Sequence, residues 1–361
     1  MLRHLRKRVE SLKSVQVLLS KDRNSSIDVF RAVAILSVVI FHFNYLPFGN
    51  LGVDLFFVIS GLLIGGILVK NIQQERPVNF FKFFIMRGFK IWPSYYVFIF
   101  LGSLLSLLFY SSIAPDQTIP LWDIKRYLFF YQNYTGLPFH WSFDHVWSLC
   151  VEEHFYILLP IMFVIIQRFF LDKKKFLFIS VYCIIGAGIL FKFLALEYTR
   201  SKDTYSATHN RIDALAWGVL LSLIIAYYPD QLRTTKKVLI LFFSGLVLFI
   251  ASIVFATQTS SVLYHKVFLH SIIPFSFFLM IGGAYNTDLS KFKYLRIVAY
   301  YSYNWYLWHP IFVIGITFLI GNNFLSLMIY LVITFLVAVL FTILIEEHFL
   351  SLRKKYLSNE T

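Results

Sequence analysis

The chain has 361 residues, of which 58% are hydrophobic, 19% aromatic and only 14% charged, with a mean hydropathy of +0.69. A soluble domain carries about a quarter charged residues, so this composition describes an integral membrane protein with the lipid bilayer as its solvent. The formal net charge of +14 would suit nucleic acid, but the basic residues lie in short clusters between apolar runs. That pattern belongs to loops on one side of a membrane and argues against a nucleic-acid partner.

Hydropathy divides the chain into ten spans, at roughly 29–46, 51–69, 93–110, 146–167, 176–198, 212–228, 238–256, 265–285, 297–319 and 324–345. With the N-terminus inside, 26 of the 33 Lys and Arg fall on the inner side. The other seven are Lys125, Arg126, Lys192, Arg200, Lys202, Arg211 and Lys266. Cytoplasmic loops carry such an excess of cations. The expected fold is therefore an all-α membrane bundle of about ten transmembrane helices with both termini cytoplasmic.

A basic tail (1–28) precedes one membrane domain (29–349), and a short basic tail (350–361) follows it. The tail shows no cleavable leader, since the first apolar run carries Arg31 and His42 rather than a small-residue cleavage site. Outer loops are short, as at 47–50 and 321–323, except for 111–145. That stretch is rich in Trp, Tyr and Phe and is broken by Pro115, Pro120 and Pro138. Its aromatic faces could stack on sugars or form an interfacial belt. The inner stretch 70–92 is the other long connection, with five cations. Cys150 and Cys183 lie in separate spans and imply neither a disulfide framework nor a Cys-rich metal site.

Ionisable residues inside a span are expensive and are read first as functional. In the first span, Arg31 and His42 are eleven residues apart. That is about three full turns, so both lie on nearly one face, about 16 Å apart along the axis. The second span opens with Gly52, Asp54, Ser60 and Gly61. Arg87, Lys90 and Pro93 mark the inner start of the third. The fourth carries Trp147, Ser148, Cys150, Glu152, Glu153, His154 and Tyr156. Arg211 and Asp213 stand at the start of the sixth, and Ser302, Tyr303, Tyr306, Trp308, His309 and Pro310 in the ninth. Ser302, Tyr306 and His309 form an i, i+4, i+7 stripe, which suits a polar cavity wall.

This ordered set resembles the acyltransferase-3 family of integral membrane acyltransferases. The family patterns are Arg-x10-His in a first helix, G-V-D-x-F-F-x-x-S-G, R-x-x-R-I-x-P, W-S-L-x-x-E-x-x-F-Y and a late S-Y-x-x-Y-L-x-H. The match runs in order through about residues 27–350. Lys90 stands where the third pattern has Arg, and His154 where Gln is frequent. Glu346, Glu347, His348 and Phe349 resemble a terminal E-x-P-F pattern without its Pro. Lys lacks the bidentate geometry of Arg, so the resemblance implies a phosphate contact more strongly for Arg87 than for Lys90.

The resemblance implies a multi-pass protein of a bacterial cell membrane that moves an acyl group, commonly acetyl, from cytoplasmic acyl-CoA to a hydroxyl. The acceptor it implies is an extracytoplasmic glycan or lipid-linked glycan, with glycan-assembly proteins as possible partners and no metal. Phosphates want cations, and Arg31, Arg87 and Lys90 are all expected at the inner surface as the acetyl-CoA site. An acceptor hydroxyl needs a base that titrates near working pH, which the His42 imidazole supplies as general base or as transient acyl carrier. A lone intramembrane His can also be a packing residue, and Arg31 can snorkel to headgroups.

Glu152 could orient the imidazole, bind the acceptor or cap the outer end of its helix. Asp54 could be an acceptor-side or His-orienting acid, or a helix start. Trp147, Ser148, Tyr156, Arg211, Asp213, Ser302, Tyr306 and His309 are the expected substrate-binding or cavity-lining residues. Cys150 has acids rather than cations around it, which does not suit a nucleophile. The rival reading is a transporter or flippase for a lipid-linked sugar or anion, since polar residues inside a bundle would serve it equally. No inverted repeat or pair of broken helices supports it.

Overall fold

The computed structural model describes residues 23–111, 123–135, 141–198 and 205–358, and these are helical throughout with short connections and no strand. The helices are α1 (Ser25–His42), α2 (Gly52–Gln73), α3 (Phe80–Tyr110), α4 (Ile124–Leu128), α5 (Trp147–Phe169), α6 (Lys173–Tyr198) and α7 (Ile212–Tyr227). They continue with α8 (Thr235–Gln258), α9 (Leu269–Ala284), α10 (Lys293–Trp308), α11 (Ile311–Ile320), α12 (Phe324–Phe341) and α13 (Glu347–Ser358). Among the described residues eight stretches are long and apolar enough to cross a membrane, or nine if the bent pair α10/α11 is counted as one span. The sixth expected span is the short α7, 16 residues. The fold is an all-α integral membrane bundle.

Several spans begin or end elsewhere than hydropathy suggests. The Asn24 side chain accepts the backbone N–H groups of Ser26 and Ile27, so α1 starts at Ser25. It ends at His42, where Asn44 and Phe48 take positive φ of 61°, a conformation non-glycine residues adopt mainly in turns. The first span is therefore 25–42 rather than 29–46. Likewise Asn79 caps α3 through the Lys82 N–H at 2.9 Å, and α3 runs 31 residues through Pro93. The expected long connection 70–92 is thus largely helix. Arg87 and Lys90 ride a rigid rod about 46 Å long. The ninth span is not one helix: α10 and α11 are bent by 78° around His309 and Pro310. The tenth continues past 345 through a π turn (Thr342–Glu346) into α13.

The centre of the bundle is α1, α2, α7 and α10. A membrane offers no hydrophobic drive between helices, so close approach of backbones does the work. A Cβ on Gly61 would run into the carbonyl of Leu215, and one on Gly218 into that of Val58, so α2 and α7 touch backbone to backbone. Gly61 and Gly65 have the four-residue spacing of such interfaces, a signal the sequence reading passed over. At the other extreme, 11% of the α8 window is buried against 72% for the α2 stretch, which leaves α8 to face lipid.

The aromatic loop lies partly outside the described residues, including Pro115, Pro120 and Pro138. So do the tail cations from Arg3 to Lys21 and the outer-side Arg200 and Lys202.

Candidate active site

Five helices, α1, α2, α3, α5 and α10, enclose a cleft holding about 770 Å³ of space that is partly open to the outside. Arg31 from α1 and Arg87 and Lys90 from α3 all reach it, as do Ser60, Ser148, Glu152, Tyr156, Ser302, Tyr303 and Tyr306. Three cations and one carboxylate line it, an excess of positive charge that suits an anion. Among the described residues neither Arg31 nor Arg87 has a carboxylate within ion-pair distance. The Arg31 Nε is buried without a hydrogen-bond partner. Arg87 instead lies over the rings of Tyr156, at 5.6 Å, and Phe83, at 5.9 Å. Lys90 is the partly committed cation, 3.4 Å from Glu346, which also accepts from Asn304 Nδ2 at 2.9 Å.

The acid of the cleft is held in place. Tyr156 donates its hydroxyl to Glu152 at 2.9 Å, and Ser60 bonds the same hydroxyl at 2.7 Å. Glu152 and Tyr156 are i, i+4 on α5, so one helix face carries both. Glu153 points elsewhere and accepts the Trp92 indole N–H at 3.1 Å.

Next to this cleft three imidazoles gather, joined to it by Tyr306. The Tyr306 hydroxyl donates to the His145 carbonyl and contacts Ser148 Oγ, both at 2.7 Å. Its ring is 5.9 Å from His309, whose own ring is 4.8 Å from His42 and 5.4 Å from His145. His42 Nδ1 lies 2.8 Å from the Val38 carbonyl and 3.2 Å from His309 Nε2. Arg31 and His42 thus occupy one helix, the first in the cleft and the second at the histidine cluster. Ser302 and Tyr306 line the cleft from α10, whereas His309, at the C-cap of the same helix with helical backbone angles, lies outside the cleft lining and meets His42.

Asp54, Arg211 and Asp213 are brought together at a different place. Arg211 donates to Asp54 at 2.6 Å, and Lys192 donates to Asp213 at 2.5 Å. His270 stands 3.8 Å from Asp54, and Lys192 also reaches the His270 carbonyl at 2.8 Å. All four charged side chains are fully or almost fully buried. A buried ion pair of this kind is costly to break and pins helices together. Arg211 further stacks over Tyr205 at 4.5 Å and Trp147 at 5.7 Å, and Trp147 meets the cleft residue Phe57 at 5.9 Å.

Sequence reasoning missed His145, His270, Lys192 and Asn304 as site or network residues, and named Ser60 and Glu346 within their motifs without giving them a role. Lys192 carried a usable signal, being a charge inside an apolar run. Cys150 is buried, with its Sγ 3.6 Å from the Val146 carbonyl, whereas Cys183 is exposed. Among the described residues no group of three or more His, Cys, Asp or Glu is arranged to hold a metal ion.

The acyltransferase-domain model of the acyltransferase-3 family matches residues 24–346. The chain belongs to the acyltransferase-3 family. It is 28% identical over 306 residues to a peptidoglycan O-acetyltransferase OatA of Listeria monocytogenes, covering 79% of this chain and 48% of that protein. It is 27% identical over 327 residues to an O-acetyltransferase OatA of Staphylococcus aureus, covering 85% and 52%. A putative O-acetyltransferase of the same species is 26% identical over 308 residues, covering 78% and 49%. The chain therefore spans about half the length of the curated relatives it matches. No solved structure matches it.

Proposed function

We propose that this membrane acyltransferase is an O-acetyltransferase that takes an acyl group from cytoplasmic acyl-CoA, acetyl first, to a hydroxyl of an extracytoplasmic glycan. Both termini are cytoplasmic in this reading, with the basic N-terminal segment leading into α1 at Ser25 and the basic C-terminal segment carried on α13, and the membrane is the bacterial cell membrane. The observation that carries the reading is a cleft lined by two arginines that have no carboxylate partner among the described residues, continued through Tyr306 to an imidazole cluster. A polyphosphate with a long thin thioester arm is a ligand of that shape and charge. Arg31 and Arg87 pair with its phosphates, while the arm brings the thioester carbonyl towards His42.

Transfer then needs one deprotonation. The acceptor hydroxyl attacks the thioester carbon as His42 takes its proton. The C–S bond breaks as the tetrahedral intermediate collapses, and the coenzyme leaves as a thiolate that regains the proton from His42. Glu152, fixed by Tyr156 and Ser60, borders the arm's route. It is placed to accept a hydrogen bond from the pantetheine amides or the acceptor. The peptidoglycan named for the Listeria relative is the first acceptor to try, with lipid-linked glycans next.

Detergent-purified protein given radiolabelled acetyl-CoA and glycan acceptors tests this. Acceptor-dependent release of coenzyme A by the wild type and its loss in His42→Ala are expected. Equal release by both would sink the reading.

A further inference from the structure

The 78° break between α10 and α11 has a chemical consequence at His42. An α-helix bonds each carbonyl to the N–H four residues on, but residue 310 is a proline and has no N–H to offer Tyr306. The His309 side chain takes that place. Its Nδ1 lies 2.8 Å from the Tyr306 carbonyl and 3.0 Å from that of Trp305. Two acceptors around one ring nitrogen require that nitrogen to carry the proton, so in the neutral ring Nε2 of His309 carries the lone pair. That lone pair is 3.2 Å from His42 Nδ1. His42 Nδ1 is also 2.8 Å from the Val38 carbonyl, so it too carries a proton, shared between Val38 O and His309 Nε2.

We infer that His309 is a positioning residue for His42: it accepts the His42 Nδ1–H, fixing the ring and leaving the base's lone pair on Nε2. The inference rests on the acyl-transfer reading of His42. When Nε2 takes the acceptor's proton, the resulting imidazolium keeps Nδ1–H between two acceptors already in place. A carboxylate does this for the base in many hydrolytic triads. Here the two acids the sequence suggests for the task are engaged elsewhere, Asp54 with Arg211 and Glu152 with Tyr156, and a neutral imidazole stands at His42 instead. The device ties the His42 tautomer to the Pro310 bend.

The test uses the full chain in detergent, comparing wild type, His309→Gln and His309→Phe. Gln can offer Oε1 in place of Nε2, and Phe keeps the ring volume without an acceptor. Misplacing a reacting group by about 1 Å costs on the order of 100-fold in rate. His309→Phe is therefore expected to lower kcat by about that factor while the KM for acetyl-CoA stays within about 3-fold, the split expected of a residue acting only on the chemical step. His309→Gln should recover most of the loss. Independently of activity, 15N NMR of histidine-labelled wild type, with His42 assigned by its absence in His42→Ala, should show a protonated Nδ1 and an unprotonated Nε2. A His42 protonated on Nε2, or a folded His309→Phe with unchanged kcat, overturns the inference. A wild type that transfers nothing, or an active His42→Ala, refutes the acyl-transfer reading instead, and the NMR result still decides the tautomer.

Discussion

Arg31→Ala should separate binding from stability. Its guanidinium lines the cleft with no carboxylate in ion-pair range among the described residues, and its Nε is buried without a hydrogen-bond partner. Removing it therefore orphans no acid, because Glu152 keeps its Tyr156 bond at 2.9 Å. A hydrogen bond to a charged group contributes about 1.5–3 kcal/mol, and each 1.36 kcal/mol is tenfold. Loss of the phosphate contact should then weaken acetyl-CoA binding about 10- to 150-fold. Arg31 and His42 stand about 16 Å apart along α1, so kcat at saturating donor should hardly change. Binding of radiolabelled acetyl-CoA to purified protein, with a thermal unfolding curve on the same sample, reads both quantities. Unchanged affinity would refute the anion-receptor argument. Weakened affinity with a lowered unfolding midpoint would refute the claim that Arg31 is held for ligand rather than for the fold.

Arg211→Ala should do the opposite, stranding the fully buried Asp54 at a cost of about 3–5 kcal/mol, seen as a sharply lower unfolding midpoint. Lys192→Met should destabilise by a similar amount. Adding Asp213→Asn should restore part of it, because the two side chains share one ion pair at 2.5 Å. Gly61→Ala should cost about 1–3 kcal/mol by forcing α2 away from Leu215. Gly66→Ala on the same helix, where a Cβ meets nothing within 4 Å, should be neutral or slightly stabilising as helix propensity gains. Tyr156→Phe removes the hydroxyl that Glu152 and Ser60 share and should lower transfer activity with little change in acetyl-CoA affinity.

What could be read from the sequence were the features that local chemistry dictates. Apolar runs gave the helices, and the cations at Arg31, Arg87 and Lys90 were expected together, as they are found in the cleft. Ends set by side-chain caps were misplaced, because Asn24 and Asn79 act through single hydrogen bonds that hydropathy averages away. The α10/α11 bend escaped for a related reason: one Pro310 does not alter the mean hydropathy of its window, yet it ends α10 and leaves the Tyr306 carbonyl to the His309 side chain. The ion network was out of reach in a different way. Asp54, Lys192, Arg211, Asp213 and His270 come from separated stretches of chain, and only the packing of α2, α6, α7 and α9 makes them one cluster. Asp54 was thus open as an acceptor-side acid, a His-orienting acid or a helix start, while its buried partner is Arg211.

The central claim is transfer across the bilayer through the Arg31 cleft to a base at His42. Proteoliposomes loaded with radiolabelled acetyl-CoA and bathed in an impermeant glycan acceptor measure it directly. Label should appear on the outside acceptor in step with free coenzyme A inside, and vanish in vesicles carrying His42→Ala. Label on the acceptor at the same rate with His42→Ala, or wild-type vesicles that release coenzyme A inside but never label the outside glycan, would contradict it.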